Sequence, residues 1–267
     1  MDIAVCIKRV PLSPGRWTLT ADGTAIDTSG SAMGWTLSPH EECATEAAVQ
    51  LVEAHGGSVT AISLGTPESQ EQIRELMAVG VDRGILLETD GAEWDAQATA
   101  GAIVDALKAA KPGGSADGTA ASNSTDFDMV ILGTESADTS GYQVGVRIAH
   151  ALGWPIVTNV KGLSVSNGVA RCERVAGAER EVYEVALPAV ISVKDGLNIP
   201  RYPSVPGRIK ARKKPIDTSN PAHPGQRIEK KSLALPPQEV GTAEVIGTGP
   251  DAAPKVVEIL KEIGVLT

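Results

Sequence analysis

The sequence predicts an α/β fold: a mostly parallel, twisted sheet with helices on both faces, antiparallel edge strands and an extended C-terminal arm. Three observations predict it. Short, largely β-branched apolar runs recur from residue 3 to residue 160, as strands buried on both faces require. Helical repeats fill the intervals with tight joins, which implies parallel crossovers. From residue 163 the pattern changes to alternating segments around Asn167-Gly168, a strong hairpin signal.

The elements follow in order. Strands are expected at residues 3–7, 59–64, 84–87, 129–132 and 156–160. Ala44, Ala47, Ala48, Leu51 and Val52 form one face of the first helix. Ser38, Pro39 and Glu41 open that helix as cap, first-turn proline and capping-box acid. Thr66-Pro67-Glu68 opens the next in the same way, with Ile73, Leu76 and Met77 inward. Residues 95–109 and 141–152 supply two more helices, and residues 163–193 are read as antiparallel strands at an edge. Residues 111–125 are Gly-, Ser- and Ala-rich and read as a flexible surface insertion without chemistry. Residues 1–215 thus form the main domain. Residues 216–267 form an arm too rich in Pro and polar residues to build a core, ending in an amphipathic helix at 251–263. That helix packs back on its own domain or embraces another subunit.

Composition narrows the function. The chain has 267 residues, 42% of them apolar, enough for a sizeable core. Aromatic residues at 3% leave few platforms for stacking single-stranded bases, and a net charge of −9 opposes phosphate-backbone binding; no nucleic-acid partner is expected. Cys6, Cys43 and Cys172 are widely spaced, with no metal or disulfide pattern. A reduced, cytoplasmic setting is expected, with no bilayer-spanning segment and no leader at the N-terminus.

No catalytic constellation stands out. His40, His55, His150 and His223 lack metal-ligand spacing, and nucleophile motifs are missing. Residues 247–252 imitate part of a dinucleotide fingerprint but leave no room for the following strand. The crevice beyond the strand ends is more informative. The first strand runs into Cys6, Lys8 and Arg9, and the second into Ser63, Leu64 and Gly65. The fourth runs into Gly133-Thr134-Glu135-Ser136-Ala137-Asp138-Thr139-Ser140-Gly141, which opens towards a helix. Such a loop offers backbone N–H groups and hydroxyls to a phosphate. Plain capping and turn chemistry explains each segment alone; their convergence favours a nucleotide.

A second constellation is basic. Arg201, Arg208, Lys210, Arg212, Lys213 and Lys214 follow one another with no acid between, in an acidic chain. Leu197, between Gly196 and Asn198, is expected on a loop beside them, as an exposed anchor with a steering rim. A solvated basic loop is the alternative.

These residues resemble the beta subunit of electron transfer flavoprotein. The resemblance rests on residues 5–10, on Ser38-Pro39 with its helix, on 77–84, on 133–145, and on 187–215 with Leu197-Asn198-Ile199-Pro200-Arg201-Tyr202. It implies a Rossmann-like adenine-nucleotide-binding domain in an obligate heterodimer with an alpha subunit. The alpha subunit would hold most of the redox FAD, and this chain AMP. By position, the nucleotide would meet Cys6, Lys8, Ser38, Pro39, His40, Glu41, Leu64, Gly65 and residues 133–144, Gln143 and Val144 included. The resemblance further implies a recognition loop at about 193–203, with Leu197, Asn198, Arg201, Lys210, Arg212 and Lys213 towards partners. It implies an electron carrier without a substrate-converting site. Electrons would pass from flavoprotein dehydrogenases, acyl-CoA type in fatty acid oxidation, to a quinone oxidoreductase. Ser38 in place of Asn, Val144 in place of Thr, and Ser13 in place of an aromatic depart from the common pattern. The Gln143-Val144-Gly145 ending is similar to that of electron-bifurcating relatives with a second FAD. A stand-alone adenine-nucleotide-binding protein and a purely structural subunit are the readings from other classes.

Overall fold

The computed structural model describes residues 1–12, 17–29, 34–110, 125–225, 227–228, 230–237 and 244–266. Nearly all of the expected insertion at 111–125 lies outside these residues. Eleven strands and six α-helices are present among them. β1 (Asp2–Ile7), β2 (Val10–Pro11) and β3 (Trp35–Thr36) lead to α1 (Pro39–His55). Next come β4 (Ser58–Gly65), α2 (Gln70–Val79), β5 (Arg83–Glu88), α3 (Ala96–Ala109), β6 (Met129–Gly133) and α4 (Val144–Leu152). β7 (Ile156–Ser166), β8 (Val169–Ala176), β9 (Glu179–Ala186) and β10 (Ala189–Val193) follow. α5 (Val205–Ala211), β11 (Ile216–Ser219) and α6 (Ala253–Glu262) complete the described elements.

The large sheet has the order β11-β5-β4-β1-β6-β10-β7-β8-β9. It is parallel from β11 to β7; β8 and β9 are antiparallel at one edge. The expected α/β class is therefore present, with one correction. β10, read as an antiparallel edge strand, lies between β6 and β7 and is parallel to both. All five of its residues are buried, and only the interior of a parallel sheet covers both faces of a strand in this way.

Two cores sandwich the sheet. Ile3, Val5 and Ile7 face α1 and α2, while Ala4 and Cys6 face α3 and α4. Period-two alternation along β1 produces this split, and each fully buried branched side chain contributes about 1.5–3 kcal/mol. Chain order steps from β1 through β4 to β5, then crosses to β6 on the other side of β1. The strand order thus reverses between β1 and β6, where a crevice opens at the carboxyl ends. No helix among the described residues is long and apolar enough to cross a membrane.

Candidate functional site

α1 starts at the crevice. Ser38 caps it: its Oγ accepts from the Glu41 N–H at 3.3 Å, and Glu41 Oε2 accepts from the Ser38 N–H at 3.0 Å. The expected capping box is therefore formed, with Pro39 in the first turn. Glu41 also reaches beyond its own helix, because Oε1 accepts from the Lys8 N–H at 2.8 Å. One buried carboxylate thus fastens the end of β1 to the start of α1. Burial pushes its carboxyl up to about 7, against the Ser38 and Lys8 N–H groups and the Lys8 charge.

Gly133, at the end of β6, lets α1 come this close. A Cβ there would stand 2.9 Å from His40 Cβ and 3.3 Å from Glu41 Cγ. Gly133→Ala is therefore expected to displace the start of α1 and to cost about 1–3 kcal/mol. A lowered thermal midpoint checks it; an unchanged one would show that α1 yields freely.

The loop after β6 is anchored at its root. The Thr134 N–H donates to Val193 O at 2.9 Å, and the Thr134 and Ser192 hydroxyls lie 3.3 Å apart. Lys8 Nζ pairs with Asp138 at 2.6 Å. Burial raises the Asp138 carboxyl, but the Lys8 charge and hydrogen bonds from Lys8 and Ser136 outweigh it and hold it low. Glu135 is held low first by the Tyr142 hydroxyl, with Ser140 and His40 adding to it. Ser136 and Thr139 hydroxyls meet at 2.7 Å. The loop does not run straight into a helix at Gly141 as expected. Ser140 (φ 45°) and Tyr142 (φ 56°) are left-handed, so α4 begins only at Val144.

The crevice therefore gathers Lys8, Ser38, Pro39, His40, Glu41, Gly133, Thr134, Glu135, Ser136 and Asp138. Ala137, Thr139, Ser140 and Gly141 form its exposed rim. Cys6 is a buried wall residue whose thiol burial pushes up to about 12, so it is not a reactive thiolate. Leu64 and Gly65 end β4, on the other side of β1. Gln143 turns instead to Arg147, accepting from its Nη2 at 2.9 Å, while Val144 leans on the second core. Ser192 escaped sequence reasoning, whereas Ser63 and Tyr142 fall in the segments expected to line the crevice. Ser63 Oγ is buried at the end of β4 without a hydrogen-bond partner. A polar residue near the end of an apolar strand was the available signal for Ser192.

These residues fit the phosphate and ribose of a nucleotide. The start of a capped helix, a glycine cradle and a run of hydroxyls suit a phosphate and ribose, and the two loop carboxylates are already matched by local donors.

The basic segment is organised differently from expectation. Three contacts from α1 fall at one constant sequence separation, 155 residues. The Asp195 N–H donates to His40 Nδ1 at 2.8 Å, Asn198 Nδ2 donates to Cys43 O at 2.9 Å, and the Arg201 N–H donates to Glu46 Oε2 at 3.1 Å. The loop thus runs alongside α1, one contact per helical turn. Leu197 is turned inward and half-buried against the first core, so it is not the exposed anchor expected. Ile199 and Tyr202 point outward, 90% and 96% exposed. Arg201 is bound to Glu46 and Glu53 and does not belong to a free patch. Lys214 is turned in as well, donating to Met77 O and Val81 O at the end of α2. Arg208, Lys210, Arg212 and Lys213 remain exposed, on and just beyond α5.

Residues 31–224 match the family model for the electron transfer flavoprotein domain. The chain belongs to the electron transfer flavoprotein family. It is 30% identical to the electron transfer flavoprotein subunit beta of Syntrophomonas wolfei, over 98% of this chain and 96% of that protein. It is 30% identical to that of Homo sapiens over 99% and 98%, and 32% identical to that of Bacillus subtilis over 68% and 66%. The matched span of the family domain takes in α1, the 134–143 loop and the basic segment; Cys6 and Lys8, at the end of β1, lie before it.

Proposed function

We propose that this chain is the beta half of a heterodimeric electron carrier. It binds an adenine nucleotide, AMP, in the crevice between β1 and β6 and shares a redox FAD with an alpha subunit. When bound, FAD takes up and releases the electrons; the protein supplies binding, orientation and exclusion of water. The carrying observation is the convergence of the capped start of α1, Lys8 and the 134–143 loop at one switch point, in a chain of this family.

The 193–203 loop meets the redox partners, flavoprotein dehydrogenases of the acyl-CoA type and a quinone oxidoreductase. Ile199 and Tyr202 supply apolar area, with Leu197 and Asn198 beneath them. Lys210, Arg212 and Lys213 steer association, which suits weak, fast encounters. Arg201 acts by holding the loop to α1. No residue of α6 is buried against its own domain, and Val256 and Val257 are 38% and 43% exposed. This helix lies on the alpha subunit. The Gln143-Val144-Gly145 start of α4 favours a second reading, in which a second FAD replaces AMP for electron bifurcation.

Co-expression with the alpha subunit, followed by flavin counting and extraction of bound nucleotide, tests both. One FAD and one AMP per heterodimer are expected. Two FADs support the second reading, and a colourless, nucleotide-free complex overturns both.

A further inference from the structure

The crevice and the outward loop meet at one side chain. His40 sits in the first turn of α1, its side chain 15% exposed. Nε2 lies 3.7 Å from Glu135 Oε1, on the loop that lines the crevice. Nδ1 accepts from the Asp195 N–H at 2.8 Å, on the loop that carries Ile199 and Tyr202. An imidazole that accepts at Nδ1 carries its proton on Nε2, directed at the Glu135 carboxylate. Tyr142 and Ser140, which lower the Glu135 carboxyl, are the residues whose left-handed backbone shapes the crevice loop. His40 therefore stands between the crevice loop, with Glu135 3.7 Å from Nε2, and the Asp195 backbone N–H that Nδ1 accepts.

We propose that His40 is a positioning residue that couples the nucleotide crevice to the outward loop: an occupied crevice fixes Glu135, which fixes the His40 ring, which caps Asp195 and orders residues 195–202. The inference rests on the reading that the crevice holds an adenine nucleotide. The two states are the Asp195 N–H bound to His40 and the same N–H open to water. Contacts further down α1, at Cys43 and Glu46, hold the loop in both states. His40 alone of the three α1 residues also faces the crevice loop. By reciprocity, whatever orders residues 195–202 tightens nucleotide binding by the same factor.

Hydrogen exchange at the Asp195 amide reads the coupling directly. The heterodimer is stripped and reloaded with AMP or FAD, whichever its acid extract contains. In the wild type, loading is expected to slow exchange at Asp195 about threefold to tenfold, the range of one hydrogen bond. His40→Ala is expected to exchange fast with or without nucleotide. His40→Asn places an amide oxygen near the position of Nδ1 but cannot reach Glu135. It should restore slow exchange while losing the dependence on nucleotide. Glu135→Gln should weaken that dependence without exposing the amide. Should His40→Ala fail to assemble, the other two variants decide. Nucleotide uptake with unchanged exchange at Asp195 would overturn the coupling alone. Failure to take up either nucleotide would overturn the crevice reading and the coupling together.

Discussion

Arg201→Ala is expected to lower stability by about 2–3 kcal/mol, more than any other change to the basic segment. Glu46 is 5% exposed and accepts from Arg201 Nε at 2.8 Å and from Nη2 at 3.0 Å. Glu53 takes the rest of the guanidinium, from Nη1 at 2.6 Å and Nη2 at 2.9 Å. Removing one partner of a buried pair leaves a charge without compensation, at about 3–5 kcal/mol. The Arg201 side chain is 35% exposed, so water screens part of that loss and the lower figure follows. Arg201→Lys should rescue little, because one ammonium cannot span two carboxylates in fork geometry. Burial raises the Glu46 carboxyl, but Arg201 and Gln50 outweigh it and hold it below its ordinary 4.5. Its contribution is therefore full above that value and is lost as pH falls through the lower folded value. Denaturation midpoints against pH check this. The Arg201→Ala curve should lie below wild type at neutral pH and approach it in acid. A constant gap would mean that Glu46 draws nothing from Arg201.

How much of this was legible depends on what pattern can carry. The capping box at Ser38, the helix faces and the strands buried on both sides follow from residue type and spacing, and the structure has them. β10 was misread because residues 179–186 alternate and the eye continues the alternation. The stretch Ala189-Val190-Ile191-Ser192-Val193 after Pro188, apolar but for Ser192, was the better signal, since it matches β6, its neighbour in the sheet. The crevice loop could not be read beyond its composition. Nothing in the letters Ser140 or Tyr142 announces a left-handed backbone. Counting charges in 201–214 found the cations but not their partners. Glu46 and Glu53 lie seven residues apart on one face of α1, and that spacing was the only trace of the Arg201 site.

Glu41 carries the second large effect. Its carboxylate satisfies the N–H groups of Ser38 and Lys8 while only 5% exposed. Glu41→Ala leaves both donors unpaired at about 1–3 kcal/mol each, and frees the end of β1 from the start of α1. A loss on the order of 3 kcal/mol is expected, together with loss of bound nucleotide. The pH dependence runs opposite to that of Glu46. Burial raises the carboxyl from 4.5 to about 7, so between those values the folded protein holds a proton that the unfolded chain has released. Stability from this group is present below 4.5 and declines as pH rises through 7, by on the order of 3 kcal/mol in total. Glu41→Gln cannot titrate. Its amide oxygen keeps one acceptor, while its NH2 opposes the second N–H. Its thermal midpoint should therefore be nearly flat between pH 5 and 8 (about the window of the shift), where the wild-type midpoint falls. Equal slopes for the two proteins would place the wild-type slope elsewhere. They would mean that the two N–H donors and Lys8 outweigh burial, so that Glu41 is ionised throughout.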